Sequence, residues 1–155
     1  MALPDEAATV ALARRLAPVL QDGGVVFLHG ELGAGKTTFA RALLRALDVG
    51  ERVKSPTYTL LERYKVGTRD AFHLDLYRIA DAGELEWLGL DELDAPDALV
   101  LIEWPERGRG ALPPPDLEVA LEHAGRGRNV RLTALSARSV HWLAALDGRV
   151  AYPSQ

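Results

Sequence analysis

The chain has 155 residues, 48% hydrophobic and 26% charged, which predicts one soluble globular domain over residues 1–155 with enough chain for a substantial core. A net charge of −4 gives no electrostatic ground for wrapping nucleic acid. The lack of cysteine excludes disulfides, thiolate nucleophiles and Cys-ligated zinc; His29, His73, His123 and His141 lack metal-site spacing, and no apolar run approaches the ~18 residues of a membrane span.

In chain order, residues 4–21 carry Ala8, Leu12, Leu16, Val19 and Leu20 at helical spacing behind Asp5 and Glu6, with Gly23-Gly24 as the stop. This predicts an amphipathic helix packed on a sheet. Val25-Val26-Phe27-Leu28 reads as a buried strand, and Phe39, Leu43, Ala46 and Leu47 predict a helix that stops at Asp48-Val49-Gly50. Between strand and helix lies Gly-Glu-Leu-Gly-Ala-Gly-Lys-Thr, residues 30–37. It fits the phosphate-loop pattern of Gly, four residues, Gly-Lys and Ser/Thr. Successive backbone N–H groups must turn inward to make an anion-binding nest, and Gly30, Gly33 and Gly35 permit the angles and the close approach. The candidate nucleotide contacts are Glu31, Leu32, Gly33, Ala34, Gly35, Lys36, Thr37 and Thr38: Lys36 reaches the outer phosphates, the Thr37 hydroxyl is placed for Mg²⁺, and the start of the helix completes the site. The bland alternative is a Gly-rich turn capping an ordinary helix; the order strand, loop, helix argues against it.

Ser55-Pro56-Thr57-Tyr58-Thr59 leads into a half-alternating run to Val66, then Gly67-Thr68 and a second run from Ala71 to Tyr77. This predicts a β-hairpin. With its turn at 67–68, Thr57 and Thr59 come beside Asp75, Leu76 and Tyr77 at the open end. Phe72, Leu74 and Leu76 take one face and His73, Asp75 and Tyr77 the other. Asp75 is either part of a functional cluster with those threonines or a strand-end residue capping a turn; Ser55-Pro56-Thr57 is likewise either a switch or a strand-entry turn. Asp81-Ala82-Gly83-Glu84 has capping-box spacing ahead of a short helix with Leu85 and Leu88. The stretch from Asp81 to Asp97 holds seven acids and no base, either a solvated surface or a docking face for a basic partner.

Ala98-Leu99-Val100-Leu101-Ile102-Glu103-Trp104 is a continuous apolar run ending in an acid. It predicts a strand buried on both faces, whose end is where a nucleotide-hydrolysing fold places its Walker B carboxylate. Glu103 is the candidate, against a glutamate that simply surfaces there. Trp104 fills the slot where many ATPases carry a second acid, so this strand assigns no catalytic base. Beyond a stiff connection through Arg107-Gly108-Arg109-Gly110 and Pro113-Pro114-Pro115, alternation at Leu117, Val119 and Leu121 and at Val130, Leu132 and Ala134 predicts a second hairpin. Its tip, with Arg126, Arg128 and Arg131, reads as an ordinary solvated turn. Residues 137–146 predict a closing helix, and residues 151–155 should fray.

These elements predict an α/β fold like that of phosphate-loop NTPases, a mixed β-sheet core flanked by helices. Lys36 with the loop amides would neutralise phosphate charge, and Thr37 with Glu103 would hold Mg²⁺. Asp75 would join them, and Thr57 would sense the nucleotide. There is no Asn/Thr-Lys-x-Asp sequence to read guanine, so ATP is favoured over GTP.

The phosphate loop, Ser-Pro-Thr-Tyr-Thr, His-Leu-Asp-Leu-Tyr-Arg at 73–78, the acidic helix with Leu88-Gly89-Leu90, and Leu-Ile-Glu-Trp at 101–104 together resemble the TsaE family, small ATPases of bacterial tRNA threonylcarbamoyladenosine formation. The resemblance implies catalytic roles for Lys36, Asp75 and Glu103, Mg²⁺ at Thr37 and Glu103, a switch at Ser55, Pro56 and Thr57, and a place for Trp104 on the active-site surface. Glu31 stands where the family usually has Asp. The resemblance further implies a cytoplasmic ATPase, weak alone, that works with the TsaB–TsaD complex in modifying adenosine 37 of tRNA, with the RNA held by the assembly. Two rivals are a small-molecule kinase, with Arg107 and Arg109 in a phosphate-covering lid, and a nucleotide-gated binding module.

Overall fold

The structure, a computed structural model, describes residues 1–49, 61–80, 83–86 and 93–146. Its strands are β1 (Ala2–Leu3), β2 (Gly24–His29), β3 (Leu61–Val66), β4 (Arg69–Asp75), β5 (Leu99–Glu103), β6 (Leu117–Ala124) and β7 (Gly127–Ala134). They form one mixed sheet in the order β1-β7-β6-β2-β5-β4-β3. The central strands β6, β2, β5 and β4 run parallel, and the hairpins β3–β4 and β6–β7 supply the antiparallel flanks. This is the mixed α/β fold that the sequence predicts.

Every residue of β5 is buried, because the strand has a parallel neighbour on each side and packed layers above and below. The period-two alternation then divides the core in two. On one face Val26, Leu28, Leu99, Leu101 and Val119 pack against helices α1 (Glu6–Leu16) and α2 (Lys36–Ala46), with Trp142 of a later helix closing the layer. On the other, Val25, Phe72, Leu74, Val100 and Ile102 meet Leu76, Ile79, and Leu85 of α3 (Gly83–Glu86). His73 and Glu103 point to the first face, since the β4–β5 register sets His73 opposite Leu101 and Asp75 opposite Glu103. That face also carries the start of α2, so strand phase alone brings both side chains towards the loop.

The first helix is shorter than its periodicity suggests. Asp5 caps it by accepting from the Ala8 N–H at 2.9 Å, but α1 ends at Leu16 and a 3₁₀ turn continues through Ala17–Leu20. Pro18 lacks the N–H that an α-turn would need there, so the chain tightens. The predicted turn at 67–68 is found, with Val66 paired to Arg69.

Asp116 stitches the parallel core to α4 (Ala137–Leu146). Its carboxylate accepts from the Val25 N–H at 2.9 Å and from Arg138 at 3.0 Å. Burial works to raise its pKa, but the hydrogen bonds from Arg138, Val25 and Ser136 outweigh it and hold the carboxyl below 3.8. Asp116→Ala is expected to cost about 2 kcal/mol, measured by urea denaturation, since a hydrogen-bonded charge is lost and the Val25 N–H is orphaned. A depressed folded-state pKa gives stability that is present above the unfolded value of 3.8 and lost as pH falls below it. The difference between parent and variant should therefore shrink in acid.

Candidate active site

The glycines of the loop serve two different ends. At Gly30, φ is 149° and a Cβ would lie 2.4 Å from the Leu121 carbonyl oxygen, so the residue is needed for close packing on β6. At Gly33 and Gly35, φ is 81° and 106°, yet nothing lies within 4 Å of a built Cβ. There glycine is needed for the left-handed backbone, and the space above it is open. Gly35 is also the N-cap of α2 and provides no side-chain cap. The first N–H groups of that helix are thereby left for an anion to cap.

Lys36 is 5% exposed. Its ammonium donates to the carbonyls of Gly30 and Glu31 and lies 3.8 Å from the centroid of the Trp104 ring. Burial lowers its pKa, a shift opposed by the charges of Glu103, Glu106 and Asp75. The carbonyls and the indole thus hold a poorly hydrated cation beside the open cradle.

Glu103, only 2% exposed, accepts from the Thr37 hydroxyl, which lies 2.8 Å from Oε1 and 2.9 Å from Oε2. The same Oε2 accepts from His73 Nε2 at 2.6 Å. On the other side of that ring, Nδ1 lies 3.4 Å from Glu62 Oε1, near enough for charge attraction but without hydrogen-bond alignment. Burial alone would lower the His73 pKa; the hydrogen bond to Glu103, the proximity of Glu62 and both negative charges overcome it and raise it to about 9. A hydroxyl and a carboxylate side by side at the head of α2 form a hard oxygen donor set, which fits Mg²⁺ with a partial water shell.

Trp104 has φ of 59°, a left-handed conformation costly for a bulky residue, on the order of 1–3 kcal/mol. The bend turns its indole over Lys36 and against Tyr77, with ring centroids 5.0 Å apart. Arg107 sits 5.6 Å from the Tyr77 ring and 5.8 Å from that of Trp104, and donates to the Ile79 carbonyl. This packing holds Arg107 on the aromatic pair. Asp75 is exposed, and its Oδ1 accepts from the Tyr77 N–H at 3.1 Å. It therefore caps a turn while also lining the cleft of about 220 Å³ that holds Leu32, Lys36, Thr37, Glu103 and Trp104.

A second cleft, of about 330 Å³, opens on the other side of the loop between Asp5, Thr9, Thr38, Arg126 and Arg128. The two clefts share Gly33, Gly35 and Thr38, so the loop bridges them. A larger hollow of about 970 Å³ runs along β6 and β7 and reaches the loop only at Gly30 and Glu31. Its size does not make it the site, because Lys36, Thr37 and Glu103 are absent from its lining.

Arg128 was not expected in this place. Its guanidinium donates to the carbonyls of Ala34 at 3.1 Å and Gly33 at 3.0 Å, so it clamps the loop instead of standing in a solvated turn. His73 and Glu62 also went unmarked in the sequence. The signal for His73 was its alternation with Asp75, which put both on the loop face. Arg128→Ala is expected to weaken anion binding at the loop about tenfold, from the loss of two charge-assisted bonds to the loop. Unchanged affinity by calorimetry would show that the loop keeps its shape without the clamp. Ser55, Pro56, Thr57 and Thr59 lie outside the described residues, as do Asp81, Ala82, Leu88-Gly89-Leu90 and residues 147–155.

The family model for "Threonylcarbamoyl adenosine biosynthesis protein TsaE" matches residues 3–130. The tRNA threonylcarbamoyladenosine biosynthesis protein TsaE of Haemophilus influenzae is 39% identical over 137 residues, 85% of this chain and 87% of its own. Its namesake in Bacillus subtilis is 37% identical over 136 residues, 87% of this chain and 84% of its own. Among solved structures, Bacillus subtilis YdiB superposes with a TM-score of 0.74 at 28% identity, covering 94% of this chain and 90% of that one.

Proposed function

The chain belongs to the TsaE family of tRNA threonylcarbamoyladenosine biosynthesis, and from that premise we propose that it binds and hydrolyses Mg²⁺–ATP in support of threonylcarbamoyl transfer by a TsaB–TsaD complex. The observation that carries this reading is the Thr37–Glu103 pair, 2.8 Å apart beside the buried Lys36. A phosphate loop alone binds anions. A carboxylate from the neighbouring strand bonded to the loop threonine adds the hard oxygen set that a nucleotide's metal requires.

The triphosphate lies along the loop, between the two clefts that Gly33 and Gly35 join. Backbone N–H groups and the head of α2 accept its negative charge, and Lys36 leaves the loop carbonyls for the outer phosphates. Thr37 and Glu103 would hold Mg²⁺, which would supply positive charge to offset that of the phosphates. Asp75, opposite Glu103 in the sheet register, faces the same cleft and orients water there. The nucleoside occupies the cleft of Thr9, Arg126 and Arg128, and Trp104 belongs to the active-site surface. Ser55, Pro56 and Thr57 act as the nucleotide-sensing switch. Attack by water on the γ-phosphorus expels ADP and leaves inorganic phosphate. The net charge of −4 suits an ATPase that meets tRNA only through its assembly in the cytoplasm; among the described residues no helix is long and apolar enough to cross a membrane.

The decisive experiment measures ATP turnover by the purified protein alone and with purified TsaB–TsaD. Slow turnover that rises on addition of the pair is expected. A rate that the pair leaves unchanged would overturn the partner-stimulated reading.

A further inference from the structure

Glu103 presents a problem of orientation. The Thr37 hydroxyl sits 2.8 Å and 2.9 Å from its two oxygens and hardly distinguishes them, so Thr37 alone does not fix the rotation of the carboxylate. His73 does distinguish them. Its Nε2 lies 2.6 Å from Oε2, while the ring is 5% exposed and confined on its far side by Glu62, 3.4 Å from Nδ1. A ring held in this way cannot follow the carboxylate if it rotates. Backbone register reinforces the hold, because β4 and β5 are hydrogen-bonded neighbours and His73 stands beside Leu101, two residues before Glu103.

We propose that His73 is a positioning residue for the hydrolytic site: by engaging Oε2 it fixes the Glu103 carboxylate so that Oε1, with the Thr37 hydroxyl, faces the cradle for the divalent cation of a nucleotide. Partners behind a first ligand typically change metal affinity or activity by about 10–100-fold when removed. His73 lines neither of the two clefts at the loop. Its effect therefore runs through the metal and not through the nucleotide. The inference rests on the Mg²⁺–nucleotide reading.

The test is calorimetry of ADP binding with Mg²⁺ and with a chelator, on the full chain, for the parent, His73→Phe and His73→Gln. Phenylalanine keeps the ring volume and removes the donor; glutamine returns a donor near the Nε2 position. The expected result is a Mg²⁺-dependent gain in the parent, a gain at least about tenfold smaller in His73→Phe, and most of it restored in His73→Gln, with chelator affinities alike in all three. In steady-state turnover, His73→Phe should raise the Mg²⁺ concentration needed for half-maximal rate. A full Mg²⁺ gain in His73→Phe, or equal losses with and without Mg²⁺, overturns the inference and leaves the ATP reading standing. No Mg²⁺ gain in the parent removes both. Should His73→Phe fail to fold, His73→Leu, which likewise removes the donor, takes its place: a full Mg²⁺ gain overturns the proposal, and a reduced gain restored in His73→Gln supports it.

Discussion

Lys36→Ala is expected to lower ATP affinity by about a hundredfold, or roughly 3 kcal/mol, in a calorimetric titration. The size of the effect follows from where the ammonium sits. It is 5% exposed, burial already lowers its pKa, and its contacts are two carbonyls and the Trp104 ring. A cation with so little water around it has lost part of its hydration in the free protein. Meeting a phosphate therefore costs less further desolvation than it would for a surface lysine, and the attraction is less screened. Alanine removes this while leaving the amides of the loop in place, so residual binding at high nucleotide concentration is expected. Lys36→Arg should not restore the parent, because the rigid planar fork of a guanidinium does not reproduce the compact point charge of an ammonium. Equal affinity in Lys36→Ala and the parent would exclude this lysine from the phosphate site.

What the sequence made legible was whatever depends on local period and spelling. The run from Leu99 to Ile102 is apolar without interruption because both faces of β5 are covered, and that pattern located Glu103 at the strand end. Gly67-Thr68 marked the turn, and counting outward from it gave the register of β3 with β4. Contacts that depend on strand order were not legible. Arg128 meets Ala34 across 94 positions in sequence, and it does so because β6 lies beside β2 and carries β7 with it. No local pattern states that order, so an arginine near a hairpin tip looked like any solvated turn. For His73, alternation gave the correct face but could not give the packing that buries it. Its partners come from β3 and β5, one on each side of β4. Pro18 was a local signal, and the helical period running through it obscured the change to a 3₁₀ turn.

Glu103→Gln should slow partner-stimulated ATP turnover by on the order of 10²–10³-fold while leaving partner binding intact. Glutamine is chosen because the site punishes truncation. Removing the carboxylate as alanine would leave the buried His73 Nε2, which meets Glu103 Oε2 at 2.6 Å, and the Thr37 hydroxyl both without their acceptor. An unsatisfied buried donor costs about 1–3 kcal/mol, so loss of activity in Glu103→Ala would mix loss of fold with loss of chemistry. Glutamine keeps the volume, and its amide oxygen can still accept from His73 or Thr37. It loses the negative charge on which the divalent cation depends, so the test falls on chemistry and not on packing. Nucleotide affinity in the presence of chelator should match the parent, since Lys36 and the loop amides are untouched. If Glu103→Gln binds the TsaB–TsaD pair and ATP but no longer supports repeated rounds of tRNA modification, hydrolysis is the contribution of this chain. If modification proceeds through many rounds with hydrolysis abolished, nucleotide occupancy alone is sufficient, and the chain acts as a gated binding module whose loop signals through assembly.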